Sequence, residues 1–326
     1  MRFTALCSGF FFWVAFGQVT YAAQSVDQLL QRIEVAQSSQ SYQGAFVYER
    51  KGAFSTHQIW RQLNPEKEMV ERFLQLNGPA HEVMRVSGQV ACMSGAIADA
   101  LSLIDVWPVQ RFDTPQLQKW YDIREIGESR IAGRNTQVVL FAPRDQHRYP
   151  LELHIDEVTA VPLKTLLLNE HGELLERFQY VQFQAEHDAN MHVLSKPHLL
   201  PSADCQTILT DATLGDVELD VDWSVSWVPP GFTLINSHYR PSEDGAYNVL
   251  SQVYSDGLAH FSIFFEPIVS LEIESGRRQL GPTAVVSRKV VNDAQQVMVT
   301  VVGEIPIGSA ERIALSMQID QGRADD

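Results

Sequence analysis

Glu152, His154 and Asp156 alternate along a short apolar run, and alternate residues of a strand share a face. Two carboxylates flanking an imidazole are the parts of a general acid–base relay. The same alternation puts Leu151, Leu153 and Ile155 on the opposite face. The row therefore reads equally as the wetted side of an amphipathic strand, which accounts for every residue in it. His187, His192 and His198 lie close together, and imidazoles suit zinc, but their spacing is not that of a helical pair and no cysteine or HExxH supports them. Asp216, Glu218, Asp220 and Asp222 supply oxygens of the kind calcium favours, without the glycine and closing glutamate of a calcium loop; a charged edge strand explains them better. GxSxG, P-loop, dinucleotide and CxxC patterns are absent. The expectation is a non-enzymatic protein with no catalytic residue, metal or cofactor.

Aromatic residues are more suggestive. Trp60, Phe73, Trp107, Trp120 and Phe141 sit in the first half of the chain beside Phe46, Tyr48 and Tyr121. On a half-covered sheet they would line an apolar cavity for a lipid or small ligand, with Arg50, Lys51, Arg61, Arg72 and Arg85 near its rim. An ordinary packed core is the competing explanation.

The elements that would hold these residues are mainly strands. An amphipathic helix opens at Ser25, with Val26, Leu29, Leu30 and Ile33 on one face. Strand-like runs follow at 42–51, 56–63, 68–76 and 81–86. A helix or long loop covers 94–120, and strands resume at 121–125, 136–142, 151–155, 162–168 and 174–183. A proline-bearing, acidic stretch then separates a second unit with strands at 233–240, 247–254, 259–265, 283–291 and 296–302. Asp256-Gly257 marks a tight turn, and Pro306 opens a last helix with Ile307, Ala310, Ile313, Ala314 and Met317 on one side. Arg277 and Arg278 fall in an expected loop. The resulting division is a leader over 1–22, a first domain over 23–186, a linker over 187–222, a second domain over 223–320 and a disordered tail over 321–326.

The chain has 326 residues, 25 basic against 40 acidic, a net charge of −15 and 45% hydrophobic residues. That is enough apolar material for two cores and the wrong charge for a nucleic-acid binder. Arg2, the apolar run from Phe3 to Phe16 and the small residues Thr20 and Ala22 form the pattern of a cleaved secretory leader. The run is shorter than the roughly 20 residues of a bilayer span. Cleavage after Ala22 leaves Cys92 and Cys205, which are either a disulfide of an oxidising compartment or two buried thiols.

Four segments carry a resemblance: Gly78-Pro79 with Glu82-Val83 and Arg85; Trp227 with Pro229, Gly231 and Phe232; Tyr254-Ser255-Asp256-Gly257-Leu258 with Phe261-Ser262; and Val302-Gly303-Glu304-Ile305-Pro306. In this order the sequence resembles the MucB/RseB-type periplasmic regulators of the envelope-stress sigma factor, over nearly the whole chain. The resemblance implies an α+β protein. Its large domain would be a half-open antiparallel β-barrel with helices, similar to LolA/LolB-type carriers, and its smaller domain an antiparallel sheet with a C-terminal helix. It implies a periplasmic protein that binds the periplasmic domain of a MucA/RseA-type anti-sigma factor, shields it from site-1 proteolysis and is released by lipid or lipopolysaccharide. Self-association is a further expectation. A periplasmic lipid or lipoprotein carrier is the alternative. Tyr239, Arg240, Phe261, Arg277 and Arg278 are the candidate partner contacts on the second domain.

Overall fold

The computed structural model describes residues 26–79, 81–94, 114–186, 205–207, 223–242, 247–268, 275–291 and 296–319. The expected leader, Trp107, the three clustered histidines, the acidic row from Asp216 and the expected tail lie outside them.

Helix α1 (Val26–Ser39) buries Leu29, Leu30, Ile33 and Ala36, the stripe its periodicity sets. Ten long strands follow it: β1 (Tyr42–Arg50), β2 (Ala53–Leu63), β3 (Met69–Gln75), β4 (Glu82–Val86), β5 (Gln89–Ser94), β6 (Tyr121–Ile131), β7 (Arg134–Pro143), β8 (Leu151–Asp156), β9 (Pro162–Leu168) and β10 (Leu174–Ala185). Helix α2 (Thr114–Trp120) precedes β6, and the two-residue β11 (Gln206–Thr207) comes later in the chain. All pairings are antiparallel, and the order is β11-β5-β4-β3-β2-β1-β10-β9-β8-β7-β6. The terminal strands β11 and β6 do not pair with each other, so this is a barrel open along one side.

One face of the sheet packs on α1. Phe46, Ile59, Phe73, Val83, Val139, Phe141, Ile155, Leu163 and Tyr180 join the helix leucines in a single core, each almost fully buried. Gly44 lets this face close: a Cβ there would stand 2.8 Å from the Tyr180 ring and 2.5 Å from the Gln182 carbonyl oxygen. Charge is buried on the same face. Arg61 pairs with Glu71 and donates to the Gln37 carbonyl at the end of α1, while the Arg85 guanidinium lies 5.1 Å from the centre of the Phe73 ring. Beyond the opposite face of β3–β5, Cys205 is bonded to Cys92 across 5.5 Å between Cα atoms and packs with Val70 and Met84. This disulfide ties residues 113 apart and pins β11 along β5.

The second sheet comprises β13 (Thr233–Pro241), β14 (Asn248–Ser255), β15 (His260–Pro267), β16 (Gly276–Leu280), β17 (Thr283–Val291) and β18 (Gln296–Gly303), in the order β13-β14-β15-β18-β17-β16. Helix α3 (Ile307–Leu315) lays Ala310, Ile313 and Ala314 on it, and β12 (Trp223–Val225) pairs with β19 (Met317–Ile319) beside it. The architecture is therefore an α+β fold of a large half-open antiparallel barrel and a smaller antiparallel sheet with a C-terminal helix.

Three expectations need correction. The row Glu152–His154–Asp156 is not wetted: His154 and Asp156 are buried, because β8 is interior to the sheet and cross-strand side chains cover both of its faces. Residues 276–280 form the edge strand β16 and not a loop; their pairing with β17 supplies the backbone partners that a polar sequence conceals. Met317 leaves the helix and enters β19.

Candidate functional site at the joint between the two sheets

The four described aromatic candidates do not line one cavity. Phe73 and Phe141 are core residues against α1. Trp60 lies on the other face of β2, with the Arg72 guanidinium 5.1 Å from its ring centre. Trp120 ends α2 and meets the second sheet. Among the partner candidates, Phe261 is fully buried and stacks on Tyr254 at 5.1 Å, so its ring is out of reach of another protein. Tyr239 is half-buried against the second core, and Arg240 belongs to the edge strand β13. Arg277 and Arg278 are exposed on β16, where Arg277 donates to Glu311 of α3 at 2.5 Å.

The structure brings together a different set. The loop after β7 carries Asp145, His147 and Arg148 into the second sheet. The Arg148 side chain is fully buried. Its Nε donates to Asp256 at 2.5 Å, one terminal nitrogen donates to Asp145, and the other donates to the Pro230 carbonyl. The planar guanidinium also meets three rings, with centres 4.8 Å away for Phe232, 5.1 Å for Trp120 and 5.8 Å for Tyr121. This suits arginine, whose donors lie in a fixed fork and whose faces stack on aromatic rings.

Asp256 is the matching acid. One oxygen accepts from the amides of Leu258 and Ala259, forming the β14–β15 turn. The other accepts from Arg148 and, at 3.0 Å, from the Tyr121 hydroxyl. Burial, together with the Asp256 carboxylate, pushes the Tyr121 phenol well above its ordinary 10. The turn then sends Leu258 into the core of the first sheet. Gly231, at φ +91, is pressed so close to the Trp120 indole that no Cβ would fit.

Two smaller clasps flank this centre. Arg50, at the end of β1, donates to Thr283 at 2.8 Å and to Glu304 at 3.0 Å, and pairs with Glu176 of β10. His147 shares a 2.9 Å hydrogen bond with Ser309 and packs edge-on against Trp227, whose other neighbour is the Arg312 guanidinium at 3.9 Å. Burial lowers the His147 pKa, and Arg312 and Arg148 add to this against the pull of Asp145.

The segments behind the resemblance acquire physical roles here. Pro230, Gly231, Phe232, Asp256, Leu258 and Glu304 all sit at the joint, and Gly303 clears the Phe261 side chain beneath it. Sequence reasoning singled out Asp256 as a turn residue and as part of a resemblance segment, and passed over Asp145, His147 and Arg148. Their one signal is a dense run of charge, Arg144 to Arg148, between two apolar strands.

Among the described residues no cluster of three or more His, Cys, Asp or Glu is arranged for a metal, and no helix is long and apolar enough to cross a membrane. The fold and joint define a two-domain protein built mainly of antiparallel sheet. Residues 25–198 match the family model of the MucB/RseB N-terminal domain and residues 218–318 that of the C-terminal domain; the chain belongs to the MucB/RseB family. It is 47% identical over 299 residues to the sigma factor AlgU regulatory protein MucB of Pseudomonas aeruginosa, covering 92% of each chain. Its fold overlays on MucB in the complex structure of Pseudomonas aeruginosa MucA/MucB with a TM-score of 0.76 at 46% identity, covering 89% of this chain and 97% of the other. The overlay on a crystal structure of MucB gives 0.68 at 45% identity, covering 89% and 96%.

Proposed function

We propose that this chain is a periplasmic regulator that binds the periplasmic domain of a MucA/RseA-type membrane-spanning anti-sigma factor and shields it from site-1 proteolysis. By holding that factor intact it represses the envelope-stress response. Lipid or lipopolysaccharide releases it. In this reading residues 1–22 are the export leader, 23–186 and 223–320 are the two domains, 187–222 join them and 321–326 trail. The observation that carries the reading is likeness over both domains at once: 47% identity across 92% of the chain to MucB, and an overlay of both sheets on MucB from its complex with MucA. Export is supported by the leader pattern and by the Cys92–Cys205 bridge, since disulfides persist in oxidising compartments.

The test is a cleavage time course on the anti-sigma periplasmic segment with its site-1 protease. Added exported chain is expected to slow cleavage, and lipopolysaccharide is expected to restore the rate. Cleavage at the unprotected rate in the presence of saturating chain defeats the proposal.

A further inference from the structure

Resting on that functional reading, we propose that Arg148 is a positioning residue: its fork holds the two domains in the one orientation that the anti-sigma segment binds. The geometry supports a latch with discrete settings. Of the three acceptors of Arg148, Asp145 belongs to its own domain, while Asp256 and the Pro230 carbonyl belong to the other. Rotating one domain against the other removes two acceptors from a buried cation and strands a buried carboxylate. A buried charge without its partner is strongly unfavourable, so intermediate angles are poorly populated. The ring contact to Phe232 straddles the same boundary and is lost with them, while Trp120, in the same domain as Arg148, crosses it through its close approach to Gly231. By contrast Arg50 and Glu304 are partly exposed, with side-chain exposures of 26% and 25%, and water can replace their bond. Control therefore resides in the buried centre.

Overlays at equal coverage also differ, at 0.76 for MucB with MucA and 0.68 for MucB alone. In this proposal the segment contacts both domains at once, which only the preferred orientation allows. A molecule with a free angle spends part of its population elsewhere, and its apparent affinity falls by that fraction.

The experiment uses the exported chain with its disulfide intact and compares wild type with Arg148→Met and Asp256→Asn. Asp256→Asn keeps the oxygen that forms the turn. Spin labels at Val158→Cys and Val291→Cys, both exposed and on different domains, report the interdomain distance. Titration with the anti-sigma periplasmic segment reports affinity. Both substitutions are expected to broaden the distance distribution and weaken binding at least tenfold. A short thiol crosslinker joining His147→Cys to Ser309→Cys across the joint is expected to restore binding to Arg148→Met; that rescue separates positioning from general stability. Folded variants that bind within twofold of wild type, or a crosslink that leaves the loss unchanged, overturn the inference alone. Wild-type chain that does not bind the segment overturns the functional reading and this inference with it.

Discussion

His57 shows how a single buried group makes this fold sensitive to acid. Its ring stacks on Phe46 at 5.0 Å on the helix-facing side of the sheet, and burial lowers its pKa from 6.5 to about 4. The unfolded chain therefore binds a proton between these values and the folded chain does not, so stability falls as pH drops from about 6.5 to about 4. At roughly 1.4 kcal/mol per pH unit the loss reaches on the order of 3 kcal/mol. Asp156 acts in the same direction at lower pH. Burial alone would raise its pKa, but bonds from Arg134 and Thr159 outweigh this and lower it, and their contribution disappears once the carboxyl is protonated. Replacing His57 by Gln is expected to flatten the acid limb of a plot of urea midpoint against pH between about 6.5 and 4. An unchanged slope assigns the acid sensitivity elsewhere.

Sheet edges are managed by specific elements. β6 carries alternating charges and a bulge between Glu125 and Gly127, which discourages pairing with another chain. β5 is instead covered by β11, and a two-residue strand cannot hold that place by hydrogen bonds alone. The Cys92–Cys205 bond fixes it there. Closing a loop of 113 residues in the unfolded chain is worth up to ~4–5 kcal/mol on the chain-entropy account. Changing both cysteines to Ser is expected to lower stability by up to about that amount and to expose amides of β5 to solvent. Denaturant titration and hydrogen exchange of residues 89–94 check the two parts separately; full protection of β5 in the double variant refutes the covering role of β11.

For the whole molecule, the joint converts two sheets with separate cores into one cooperative body. Leu258 sits in the core of the first sheet although it belongs to a hairpin of the second, and Arg148 bridges both. The wild-type chain is expected to melt in a single calorimetric transition. Asp256→Asn weakens the Arg148 bond and is expected to split the melt into two, with the midpoints several degrees apart. A single unbroken transition in that variant shows that the linker or the Arg50 clasp couples the domains instead.

Local pattern sufficed for whatever depends on neighbours in the chain. The stripe Val26, Leu29, Leu30 and Ile33 fixes α1, Asp256-Gly257 fixes a hairpin, and the four resemblance segments fix the family, because periodicity, turn chemistry and motif order are local or one-dimensional. Strand β16 was hidden, since Arg277 and Arg278 carry no strand signature and the strand exists through pairing with β17. The covered flank of β8 was hidden for the same reason: alternation reports polarity, and only the neighbouring strands decide whether a polar face meets water. Residue type likewise grouped Trp60, Phe73, Trp120 and Phe141, whereas three-dimensional packing dispersed them to an outer face, a core and a domain boundary. The latch itself is non-local. Asp145 and Arg148 acquire their role only when folding brings them against Pro230 and Asp256, and no sequence period encodes which distant acceptor a buried arginine will find.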